Sequence, residues 1–179
     1  MCVSALPPQS ATFEELAMPL FDQLYNFAYW LAQNREEAED LVQETYAKAL
    51  RGFSSFQQGT NFRAWMYRIL RNTFLTSRSG LKAATVSLDD SEDPASLLPA
   101  DPHTPETILI SQSEQDLLRG AIDELPVPYR EVLLLCEVEE MSYQEIADTI
   151  SVPIGTVMSR LSRARAALRA AVGKKLQRA

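Results

Sequence analysis

The chain has 179 residues, 46% of them apolar, and a formal net charge of -7. That is enough apolar material for one or two folded domains, while the net acidity opposes nucleic-acid binding by overall attraction. No apolar run approaches the ~20 residues of a membrane span. The start, MCVSALPPQSATFEEL, lacks the basic flank and long apolar stretch of a secretory signal, so a cytoplasmic location is expected.

Chemistry-bearing residues are scarce. Cys2, Cys136 and His103 are the only cysteines and histidine. They make no zinc spacing and no Ser/His/Asp set, and no glycine-rich phosphate loop is present. The expectation is no catalytic residue, no metal and no cofactor. Cys136, within VLLLCEV, reads as a core residue, and His103, among prolines, as a solvated loop residue.

In chain order, the first predicted helix covers 12–33. The second covers 35–51 and opens on NREEAED, whose acids favour the positive end of the helix dipole. Ala38, Leu41, Val42, Thr45 and Ala49 fall at helical spacing and face a core. Asp40, Gln43, Glu44 and Ala47, three and four apart, share another face, an acid–amide patch suited to a basic protein partner. FSSFQQGTN breaks the pattern, with Gly59 in the break and Asn61 as a cap.

The third helix is expected over 62–78. Phe62, Trp65, Ile69, Leu70 and Thr73 are assigned to its core face. Arg63, Tyr67, Arg71, Phe74 and Arg78 form a second stripe, with Phe53 and Phe56 in the preceding loop. Cations for phosphates interleaved with flat rings for unstacked bases suit single-stranded DNA.

From Thr45 to Leu88 there are seven Lys or Arg and no acid, and the same holds from Ser151 to the end. Acidic sequence separates these two basic blocks. Within it SLDDSEDPASLLPADPHTPE carries four prolines and reads as an extended tether. The expected organisation is all-α: one small helical domain over 10–80, a linker over 81–112, and a second helical domain over 113–175.

In the second domain YREVLLLCEV is an apolar helix after Pro126 and Pro128. Ser142 and Glu145 form a capping box for SYQEIADTI. SVP is a tight turn, and a long helix starts with Pro153 at its first position. Together these predict a helix-turn-helix. Ile154, Val157, Leu161, Ala164 and Leu168 are expected on the buried seam of the long helix, with Thr156, Ser159, Arg160 and Arg163 facing DNA.

The stretch ELPVPYREVLLLCEVEEMSYQEIADTISVPIGTVMSRLSRARAAL resembles domain four of the bacterial sigma factors of the extracytoplasmic-function (ECF) type. REEAEDLVQETYAKALRGFSSFQQGTNFRAWMYRILRNTFL resembles domain two of the same family. The two matches cover roughly four-fifths of the chain in the right order. One departure is Ser151, at a turn position where the family usually has Gly. A left-handed backbone there would cost Ser about 1 kcal/mol.

The resemblance implies a protein that binds core RNA polymerase and directs promoter recognition, DNA melting and initiation. It gives Asp40, Gln43, Glu44 and Ala47 to the polymerase clamp helices. Arg63, Tyr67, Arg71, Phe74 and Arg78 would hold the melted minus-ten strand, with Gln58, Gly59, Thr60 and Asn61 lining a pocket for a flipped base. Thr156, Ser159, Arg160 and Arg163 would read the minus-thirty-five duplex. The linker would thread the polymerase's RNA path, and an anti-sigma factor is an expected partner. Two other readings are a stand-alone helix-turn-helix regulator, which leaves the first domain unexplained, and a sigma-like decoy for an anti-sigma factor, which would not need Arg160, Arg163 or the Tyr67 stripe.

Overall fold

The computed structural model describes residues 11–82 and 112–178, and every regular element among them is helical. Helix α1, Phe13–Ala17, starts from a capping box: Glu15 N donates to Thr12 Oγ1 at 3.3 Å and Thr12 N to Glu15 Oε2 at 2.9 Å. The expected single helix over 12–33 is interrupted. Pro19, with no N–H to give and a ring that crowds the preceding turn, sits in a 3-10 turn, Met18–Leu20. Helix α2, Phe21–Ala32, follows and ends on Gln33 in the left-handed conformation.

Helix α3, Arg35–Gly52, begins where the sequence puts it. Asn34 Oδ1 accepts from Glu37 N at 3.1 Å, and Glu36 and Glu37 stand in the positive first turn. Its buried residues are Ala38, Leu41, Val42, Thr45 and Ala49, the five that spacing assigns to the core. A 3-10 turn, Phe53–Ser55, and a loop with Gly59 at φ 89° lead to α4, Phe62–Lys82. Asn61 Oδ1 accepts from Ala64 N at 3.0 Å, as expected of a cap.

Helix α5, Gln112–Asp123, was not anticipated as an element. Together with the extension of α4 to Lys82 it trims both ends of the expected linker, whose remainder lies outside the described residues, as do Cys2 and His103. Helix α6, Val127–Glu137, starts after Pro126, with Pro128 in the first turn where its missing N–H costs nothing. Helix α7, Tyr143–Ile150, carries the expected Ser142–Glu145 capping box. Bonds from the backbone N–H and hydroxyl of Ser142 hold the Glu145 carboxyl below the usual carboxylate range. Ser151 then adopts φ 57°, ψ 48°, the left-handed conformation that closes α7.

Helix α8 spans Ile154–Arg178. Pro153 is its cap rather than its first helical residue: the Pro153 carbonyl accepts from Thr156 N at 2.9 Å and Val157 N at 3.3 Å.

Helices α2, α3 and α4 pack as one group and α5–α8 as another, and the groups meet where α4 lies on α7 and α2 on α6. A continuous apolar core crosses this meeting, running from Leu24, Phe27, Met66 and Leu70 to Val132, Leu134, Ile146 and Val157. Replacing Ser151 by Gly removes the steric cost of the left-handed turn. Ser151→Gly is expected to raise unfolding stability by up to about 1 kcal/mol, read as a higher urea midpoint at unchanged slope.

Candidate nucleic-acid interface

Asp40, Gln43, Glu44 and Ala47 are all exposed on the outer face of α3. Glu44 pairs with Lys48 at 3.4 Å. The face continues onto Leu50, three residues past Ala47, and exposed Met18 and Phe21 belong to the same end of the chain. The Phe21 ring lies 5.8 Å from that of Tyr46. Tyr46 donates its hydroxyl to Ala17 O at 2.7 Å, and burial pushes its pKa up to about 12. Sequence spacing identifies the polar half of this face. The i, i+3 spacing of Ala47 and Leu50 was the signal for the apolar half.

Asp40 and Glu44 also line one wall of a groove of about 530 Å³, together with Glu37 and Leu41. The facing wall, from α4, includes Thr73, Phe74, Ser77 and Arg78. The Arg78 guanidinium sits 5.0 Å over the Phe74 ring and 4.0 Å from Glu37. Two members of the aromatic–basic stripe thus belong with the acidic patch, and Phe74 is buried beneath it.

The rest of the stripe turns toward α6. Arg63 Nη2 donates to the carbonyl and to Oε2 of Glu139, both at 2.7 Å. Tyr67 is fully buried and donates its hydroxyl to the same Oε2. Burial, and then the Glu139 carboxylate, raise the Tyr67 pKa. Arg71 grips Glu131 through Nε at 2.8 Å and Nη2 at 3.2 Å, a two-point hold on a carboxylate that is 2% exposed. Asn61, assigned to the base pocket, donates to Glu145 Oε1 at 2.7 Å. Gln58, Gly59 and Thr60 are exposed, with Thr60 Oγ1 donating to Gln57 O at 2.7 Å.

The aromatic residues change places relative to expectation. Tyr67, expected at the surface, fills the core between α2 and α6, its ring 5.2 Å from Phe27. Trp65, expected in the core, is half-buried. It helps line a pocket of about 260 Å³ with Lys48, Gly52, Ile69, Asn72, Thr73 and Thr76. Phe53 and Phe56 close a cluster with Phe13, Phe62 and Trp65, at centroid distances of 5.1–6.2 Å. The cause is that α4 is covered from two sides. Spacing separates its faces but does not say that a second helical group will cover the Tyr67 side.

On α8, Val157, Leu161 and Ala164 are buried as expected and Leu168 is half-buried. Ile154 departs from the seam: it is 44% exposed, because at the first helical position it precedes the packing on α7 and α6. Ser159 and Arg163 are exposed and Thr156 is half-buried. Arg160 is drawn inward, its Nη1 3.6 Å from Glu131 Oε1. Arg165 pairs with Glu137 at 2.6 Å and Lys175 with Glu124 at 2.7 Å, so the acid-free C-terminal block is partly neutralised by acids from elsewhere in the fold. Cys136 is half-buried beside Arg165, and burial pushes its thiol pKa up. Among the described residues no group of His, Cys, Asp or Glu could hold a metal ion, and no helix is long and apolar enough to cross a membrane.

Arg130 joins the two helical groups without any carboxylate. Its guanidinium, 4% exposed, donates to the carbonyls of Ile122 at 3.2 Å, Asp123 at 2.7 Å and Leu125 at 2.8 Å at the end of α5. It also reaches Trp30 O at 3.2 Å and Leu31 O at 3.5 Å at the end of α2. Both ends carry the negative pole of a helix dipole, which suits a cation. Burial lowers the Arg130 pKa. Gln33 Nε2 adds a bond to Asp123 O at 2.8 Å, and the Arg119 guanidinium lies 5.3 Å over the Trp30 ring.

Comparison with known proteins matches the same two groups. Residues 16–82 match the family Sigma-70 region 2, and residues 115–168 match Sigma-70, region 4. The chain is 35% identical over 165 residues to the ECF RNA polymerase sigma factor EcfG of Rhodopseudomonas palustris, covering 86% of this chain and 87% of that protein. It is 32% identical over 153 residues to the ECF RNA polymerase sigma factor SigW of Bacillus subtilis, covering 83% and 82%. Against the ECF RNA polymerase sigma factor SigE of Mycolicibacterium smegmatis the identity is 35%, and the chain spans 64% of that protein's length. The solved complex of the sigma factor RpoE with the anti-sigma factor NepR from Bartonella quintana superimposes with a TM-score of 0.69 at 27% identity, covering 90% of this chain and 96% of that one. The CnrH structure, in complex with the cytosolic domain of CnrY, shares the fold at 20% identity and a TM-score of 0.61.

The two helical groups are thus the paired regions of a sigma-70-class protein. Within that class the chain belongs to the ECF RNA polymerase sigma factors, the subunits that direct transcription initiation. A stand-alone helix-turn-helix regulator would leave residues 16–82 unaccounted for.

Removing the Arg130 guanidinium strips donors from buried carbonyls on both sides of the joint. Arg130→Met is expected to destabilise the chain by about 2–4 kcal/mol in urea unfolding.

Proposed function

We propose that this chain carries core RNA polymerase to a promoter through the exposed α3 face, with Asp40, Gln43, Glu44 and Ala47 as the polymerase contacts. The observation that carries the reading is one chain with both sigma regions in order and an acid–amide face left open on the first. Arg63, Tyr67, Arg71, Phe74 and Arg78, with loop residues Gln58, Gly59, Thr60 and Asn61, are assigned to the melted minus-ten strand. Thr156, Ser159, Arg160 and Arg163 are assigned to the minus-thirty-five duplex. The working units are 10–80 and 113–175, tethered by 81–112.

The protein acts by binding and not by bond chemistry: it has no catalytic residue of its own and works in the cytoplasm. An anti-sigma factor is an expected partner, since solved relatives of this fold are held by NepR and by CnrY.

Run-off transcription with purified core polymerase on a pool of promoter-bearing fragments tests the reading, and no specific start sites with any fragment would overturn it. Asp40→Arg is expected to abolish co-purification with core polymerase while helical circular dichroism is unchanged. Arg160→Ala is expected to leave polymerase binding intact. It should lower transcription from promoters that depend on the upstream element by roughly 10- to 100-fold, the range of a lost bidentate base contact.

A further inference from the structure

We propose that Met158, with Ile154 beside it, selects thymine in the upstream duplex: two exposed apolar side chains on the first turns of α8 form a specificity-determining edge that packs on thymine methyl groups. The inference rests on the assignment of α8 to the minus-thirty-five duplex and names the base chemistry that the helix selects.

Val157, Leu161 and Ala164 are buried and seat α8 on the rest of its group. Ile154 and Met158 are apolar and yet 44% and 54% exposed. Four residues apart, they stand one above the other on a single flank of the helix, about 6 Å apart along its axis. Single exposed apolar residues are ordinary on a protein surface. This pair is set apart by its place, because the start of the second helix is where a helix-turn-helix meets base edges.

The positions around the pair fit a groove. Gly155, Ser159 and Ser162 are exposed and lie between this flank and Arg163 on the other, at 100° of turn per residue. A Cβ added at Gly155 would meet nothing within 4 Å, so packing within the chain does not demand a glycine there. Small side chains along the middle let the helix sit deep, and the longer ones on its flanks then reach the groove edges. The sequence 151–179 carries seven Lys or Arg and no Asp or Glu, which makes a polyanion the complementary ligand. A protein partner fits less well, since two side chains supply little of the ~800 Å² that each side of a stable protein interface buries.

Thymine is the base with a methyl group in the major groove. An aliphatic side chain donates no hydrogen bond to a purine N7 or O6, and pressing it there strips water from a polar edge without replacement. Against a methyl group the same side chain gains by burial. Met158 is the stronger of the two readers, because an unbranched thioether adapts its reach. The 6 Å between the side chains is close to two base steps of about 3.4 Å, so the pair covers thymines at one position, or at two positions a couple of steps apart.

The test uses the full chain assembled with core polymerase, on the strongest promoter recovered by run-off transcription from the fragment pool. Each thymine of its upstream element, on either strand, is replaced in turn by deoxyuridine, which removes only the methyl group. Competition binding against the unmodified fragment at fixed salt reads the effect. One or two replacements are expected to weaken binding about fourfold each, the worth of one buried methyl. With Met158→Gln and Ile154→Ala combined, thymine and uracil are expected to bind equally at those positions, whereas Met158→Leu keeps the difference. Unchanged helical circular dichroism checks the fold, and if the double variant loses helicity, Met158→Gln alone is read in the same way. An upstream element without thymine, or uracil bound as well as thymine at every position, overturns the proposal and leaves the polymerase reading untouched. A uracil penalty that survives in the helical variant gives the methyl to another residue and also overturns it. Failure to find any start site in the pool is a different result, which removes the proposed function and this inference with it.

Discussion

A carboxylate that is 2% exposed has to be neutralised where it sits, and Glu131 is the point on which the arrangement of this protein turns. Placed on α6 among Val132, Leu133, Leu134 and Leu135, it has almost no access to water. Its compensation comes from α4, through Arg71, and from α8, through Arg160. Breaking a buried pair by deleting one partner typically costs 3–5 kcal/mol. The seating of the first helical group on the second, and the inward pose of Arg160 on α8, both answer that need.

Much of the local structure was legible in the residues. The Asn61 and Ser142 caps and the five buried positions of α3 follow from short-range rules, in which a side chain bonds its own backbone neighbours or repeats every turn. Such rules fail where the partner is distant in sequence. Tyr67 and Trp65 lie on different sides of α4, and spacing alone does not tell which side meets solvent, because the cover on the Tyr67 side is Glu139, more than seventy residues away. Pro19 shows the opposite case: a strong local breaker lies inside a long apolar pattern that otherwise reads as one helix. Helix α5 escaped because it follows directly on the proline-rich stretch and its apolar face, Ala121 and Ile122, is short.

The candidate site divided along the same line. The acid–amide face of α3 was readable because it is local and outward. The aromatic–basic stripe was readable as a composition but not as a surface. Along α4 its members go to two places, Phe74 and Arg78 to the groove against α3, and Arg63, Tyr67 and Arg71 to α6. The acidity of the chain, puzzling beside two acid-free basic blocks, takes on a concrete role. Glu131, Glu137 and Glu139 on and just beyond α6, and Glu124 before it, are within reach of basic side chains that sequence order keeps far from any acid.

Arg130 differs from the Arg63–Glu139 and Arg71–Glu131 bridges between the groups in having only carbonyl oxygens and no counter-ion. Dissolved salt competes for ion pairs, but it has little purchase on a buried cation seated in peptide dipoles. The joint therefore has two materials: charge pairs, of which the more exposed Arg63–Glu139 contact is the one that salt reaches, and an inner pin that it does not. Salt therefore weakens the contact between the groups without removing it: the donors of Arg130 stay with the carbonyls at the ends of α2 and α5.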